Sequence, residues 1–121
     1  MLNIRTAACL VFIFTSNAFA APSGEKSSLR ETSFVCIDPQ DVNRYLGLIS
    51  RGLRGAGLDA AVNFQVDMNR QFKCYSSGYS TVPLLSFKST DIEGVAEITV
   101  KPEFRERGFP VRLYTTSSSI Q

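Results

Sequence analysis

Hydrophobic positions recur along this chain in two rhythms. Val42, Tyr45, Leu46, Ile49 and Leu53 fall three or four residues apart and define one stripe of a helix. Asp38-Pro39 supplies its start: aspartate accepts a backbone N–H at the N-cap, and proline in the first helical position forfeits no bond. Arg54-Gly-Ala-Gly57 supplies its stop, with glycine free to take the left-handed cap. Downstream the period changes to two. Val62, Phe64 and Val66 alternate with Asn63, Gln65 and Asp67. Ala96, Ile98 and Val100 alternate with Glu97, Thr99 and Lys101, and Val111 and Leu113 with Arg112 and Tyr114. Each run is predicted as a strand with one packed face and one open face. Ser33-Phe-Val-Cys-Ile37 predicts a further short strand ahead of the helix.

The run Thr81-Val-Pro-Leu-Leu-Ser-Phe87 has the composition and length of a central strand, but it contains Pro83. Proline cannot donate to a ladder, so it marks an edge or a bulge. The charged loop Pro102–Gly108, with Glu103, Arg105 and Arg107, separates the last two strands. Polar residues 21–32 predict a flexible N-terminal stretch, and 117–121 a loose tail. The elements sum to an α+β domain over 33–116. One helix covers the apolar side of a four- to five-stranded antiparallel sheet and leaves the polar side open.

Composition changes this picture at three points. Residues 1–20 carry one basic residue, an apolar segment too short to span a bilayer, and a closing Ala18-Phe-Ala20; they are predicted as a secretory signal peptide. Arg5 is the only charged residue among them. The other 101 residues therefore hold 12 basic and 11 acidic side chains, a net charge near +1. That balance gives no strong electrostatic footprint for nucleic acid or an anionic membrane. Cys9 lies in the leader, leaving Cys36 and Cys74, which in an exported chain most simply pair with each other. Two free buried thiols are the alternative. A metal site is disfavoured, because two cysteines without histidine cannot complete a tetrahedral zinc site.

The chain contains no histidine, which removes Ser-His-Asp and Cys-His catalysis. No Gly-rich phosphate loop and no metal-ligand spacing occurs, and no cofactor is implied. Carboxylate pairs are the remaining acid–base kit, and Asp91 and Glu93 fall in a turn where solvation is their normal fate. Arg44, Arg51 and Arg54 on one flank of the helix are read as a solvated face near its C-terminus.

The order strand, helix, antiparallel sheet resembles the small fungal guanyl-specific ribonucleases. It is more similar still to their non-catalytic relatives, the ribonuclease-like secreted effectors of plant-pathogenic fungi. The likeness rests on Ser76-Ser-Gly-Tyr79-Ser-Thr-Val-Pro83-Leu-Leu and on Phe34-Val-Cys36 before the helix. The resemblance places Thr81 where the enzymes have a catalytic glutamate and Asn63 where they have their first histidine. Glu97 falls near their arginine and Tyr114 near their second histidine. It therefore implies a ribonuclease-like fold whose cleft lacks its acid, base and phosphate-facing charge. One departure stands out: the family pairs its first cysteine with one near the C-terminus, and none follows Cys74 here.

The resemblance implies a secreted, monomeric virulence protein without enzymatic activity, acting outside cells or translocated into host cells. Its partners would be a host protein, a host immune receptor and, weakly, RNA. The expected contact surface is the open sheet face: Asn63, Tyr79, Thr81, Glu97, Arg112 and Tyr114, rimmed by Glu103, Arg105 and Arg107. Tyr75, Tyr79 and Tyr114 would stack bases if RNA is bound. A rival reading is an unrelated disulfide-stapled extracellular binding or inhibitor domain.

Overall fold

A computed structural model describes residues 27–52 and 57–121. The predicted leader (1–20), Leu53 of the predicted helix stripe and most of the predicted helix stop (54–56) lie outside them. In chain order the elements are β1 (Ser28–Leu29), β2 (Phe34–Cys36), α1 (Pro39–Gly52), α2 (Gly57–Arg70), β3 (Cys74–Ser76), β4 (Val82–Ser89), β5 (Val95–Val100) and β6 (Arg112–Thr116). The class is α+β, but among the described residues two helices and six strands replace the expected one helix and four to five strands. The strands form one antiparallel sheet in the order β1-β4-β5-β6-β2-β3. Among the described residues no helix is long and apolar enough to cross a membrane.

α1 begins where the sequence places it. Asp38 Oδ1 accepts the Gln40 N–H at 2.8 Å, and Pro39 opens the helix. Val42 is fully buried, with Tyr45 and Leu46 beside it.

The segment predicted as a strand through Val62, Phe64 and Val66 is instead α2. Ala61, Phe64 and Met68 are its buried positions, spaced as a helix face, while Val62 and Val66 are half exposed. Asn63 consequently sits on the exposed side of a helix and not on the sheet. α2 ends in a Schellman pattern: Phe72 N–H donates to Asn69 O at 3.0 Å and Lys73 N–H to Met68 O at 2.9 Å. Phe72 holds the left-handed position, φ +59°, that glycine usually takes.

The sheet buries both faces. On the helix side, Phe34, Cys36, Cys74 and Val95 pack with Val42, Phe64 and Met68. On the other side, Val35, Tyr75, Leu84, Ile98, Val100 and Leu113 pack with Leu29 and Phe109. The second core exists because the sheet curls. Leu29 of β1 pairs with Val82 of β4 on one flank and bridges to Ile120 on the other. Gln121 and Ser28 exchange two backbone bonds, so 117–121 is a partner of β1 rather than a loose tail. The ordered domain thus begins before residue 33 and extends past 116. The open polar face expected opposite the helix is in fact this apolar core.

Pro83 faces the two-residue β1, and the register of β4 on β5 slips between Leu84 and Ser86. The proline thus stands beside both features it predicted, a short edge and a bulge. The cysteines form the Cys36–Cys74 disulfide, directly opposite one another on β2 and β3.

Candidate functional site

A single transverse row of side chains organises the helix-facing side of the sheet. Lys88 lies opposite Glu97, Glu97 opposite Tyr114, Tyr114 opposite Cys36, and Cys36 opposite Cys74. Antiparallel neighbours share a face, so all five point the same way. The helices cover the disulfide end of the row. They leave the Lys88–Glu97–Tyr114 end open as a cleft of about 440 Å³.

The N-terminal turn of α1 (Pro39, Gln40) forms one wall of the cleft, and Lys88 to Ile92 form the other. The second wall is a turn stiffened by Thr90, whose hydroxyl accepts the Ile92 N–H at 3.1 Å and donates to Val95 O at 2.8 Å. Gly94 completes that turn at φ +82°, which favours glycine, and a Cβ there would stand 3.2 Å from Leu46 Cδ1, so that side chain would also have to shift slightly.

Glu97 is the only carboxylate on the floor. Its oxygens stand 3.4 Å from Arg112 Nε and 3.9 Å from Lys88 Nζ. The Glu97 side chain is 18% exposed, while those of Lys88 and Arg112 are each 72% exposed. The carboxylate is therefore enclosed and the two cations are exposed, Lys88 lining the cleft and Arg112 standing beside Glu97 just outside it. With Asp91 on the wall, the cleft is nearly neutral but strongly patterned in charge.

Of the predicted contact residues, Glu97, Arg112 and Tyr114 come together. Asn63 does not, being on α2. Thr81 precedes β4, seven residues from Lys88 and so on the order of 20 Å up the strand. Tyr79 is 91% exposed in the β3–β4 loop near Thr32, whose N–H reaches Gly78 O. Glu103, Arg105 and Arg107 lie in the β5–β6 loop, at the end of β5 away from the cleft wall. Arg105 there donates to Phe109 O at 3.1 Å, folding the loop over the second core. Tyr75 is buried in that core and is not available for base stacking. Arg44 lies over the Phe64 ring at 4.9 Å and pairs with Asp41, a packing role.

Lys88 also belongs to the site, although nothing in its local sequence pattern marks it. No protein-family profile matches the chain, and no curated protein or solved structure matches it.

Proposed function

We propose that this chain is an exported, non-catalytic binding domain whose contact surface is the Lys88–Glu97–Arg112–Tyr114 cleft. The observation that carries the reading is the placement of Glu97. It lies between two cations across three adjacent strands. A carboxylate flanked by two cations beside a tyrosine presents an alternating charge pattern that a complementary protein surface can read. The disulfide supports export, since such bonds persist in oxidising compartments.

The resemblance to ribonuclease-like secreted effectors supplies the partner class: a host protein, with an immune receptor as its detector. The patterned, nearly neutral cleft favours a protein over RNA, which would seek a basic track. The test is titration of a captured partner against variants. Arg112→Glu and Tyr114→Ala should each weaken binding tenfold or more, with folding unchanged by circular dichroism. Unaltered affinity in both would remove the cleft from the contact. Incubation with RNA should leave it uncut, and any RNA retention should vanish between low and moderate salt.

A further inference from the structure

The outer strands of the sheet are β1 and β3, but β1 is only two residues long and leaves most of β4 as an edge. β3 is partly occupied: Asn69 Nδ2 of α2 donates to its outward Cys74 O at 3.4 Å, and α2 and Ser76 bound a cleft of about 360 Å³. β4 is eight residues long, and β1 pairs only with Val82 and Pro83. Leu84 N–H reaches Ser27 O at 3.1 Å, which ends the cover. Among the described residues nothing pairs with the outer side of β4 from Leu85 to Ser89.

The ladder identifies which groups are free. Thr90 N–H donates inward to Val95 O. Backbone direction alternates along an antiparallel strand, so Lys88 and Ser86 also face β5, while Phe87 and Ser89 turn their N–H and C=O outward. Lys88 stands between these two open residues. Its side chain is on the cleft side, opposite Glu97. Phe87 lies opposite Ile98 on the other face and is 40% exposed.

We propose that this edge takes an extended segment of a partner protein, added antiparallel to β4, with an acidic side chain opposite Lys88 and apolar residues on either side of it. A strand bonded to Phe87 and Ser89 places its middle residue opposite Lys88 in the close, non-hydrogen-bonded position, about 4.5 Å between Cα atoms. Opposite charges attract there and like charges repel. The flanking residues of the added strand point to the other face, where one of them meets the Phe87 ring. The same lysine acts against self-pairing. The register using all outward groups of two copies sets Lys88 against Lys88, the charged-edge device by which sheets avoid one another. Strand addition supplies main-chain bonds, and the cleft beside it reads the alternate side chains.

The inference rests on the binding reading above. Loss of partner capture in Arg112→Glu, with none in Lys88→Gln, would keep the cleft and discard the edge. The direct test uses two end-blocked peptides, Thr-Thr-Val-Glu-Val-Thr-Thr and its lysine-centred counterpart, followed by amide NMR. The glutamate peptide should shift the Phe87 and Ser89 amides and slow their exchange. It should bind at least tenfold tighter than the lysine peptide, and Lys88→Gln should remove the preference. Equal binding by the two peptides, or shifts centred on Cys74 and Ser76, would overturn the proposal. So would Phe87 and Ser89 amides already protected in the protein alone, which would give the edge to another part of this chain.

Discussion

Tyr75 is a phenol enclosed by hydrocarbon. Its ring lies 4.6 Å from that of Phe109, and the residue is 6% exposed. Burial, with Glu106 adding a smaller repulsion, pushes its pKa up to about 12. The unfolded chain ionises the same group near 10. The folded state therefore holds its proton more tightly. Its contribution is fully present below pH 10 and is lost as pH rises from there through about 12. The loss amounts to roughly 2–3 kcal/mol. Denaturant unfolding at pH 9 and pH 11.5 should show most of that decline in the parent and a much shallower one in Tyr75→Phe. Some slope should persist, because burial also raises Tyr45. Equal declines in the two proteins would contradict the assignment.

Among the elements, α2 and β4 mark where pattern and packing part company. Val62, Phe64 and Val66 alternate as a strand would, but only Phe64 is buried and the two valines are half exposed. Exposed valines on a helix imitate the period of two, and the true signal was the sparser Ala61, Phe64, Met68 spacing. The difference is measurable. Phe64→Ala should cost about 3–5 kcal/mol in chemical denaturation, whereas Val62→Thr should stay within about 0.5 kcal/mol. Similar losses at both positions would argue against this helix face. α1 was legible because cap, proline and stripe agree. Glu97, Arg112 and Tyr114 were legible as one face because β5 and β6 run without interruption. Lys88 was not, because the slip beside Leu85 shifts side-chain parity along β4 by one. Its place opposite Glu97 needs the register, which no local pattern states.

At the scale of the molecule, the unread feature was the second core. The alternation of Ala96, Ile98 and Val100 correctly marks a buried face, and the simplest inference turns that face toward a helix. In the folded chain the helices take the other face, and β1 closes the curl over the apolar one. Non-local closure of this kind rests on two residues of β1 and the last two of the chain, too few to leave a periodic trace. The disulfide was legible from cysteine count alone, and its cross-strand position could be seen only with β2 and β3 paired.

The bridge joins residues 38 apart, and both helices lie inside the ring it closes. Closing such a ring restricts the unfolded chain by roughly 3–4 kcal/mol in the entropy model. It also has a consequence for survival among proteases. A single cut anywhere between the two half-cystines severs the backbone without releasing a piece. Nicked protein should migrate as one band on a denaturing gel until reductant is added, and then as two. Two bands without reductant, after a cut mapped to that interval, would mean the ring was never closed.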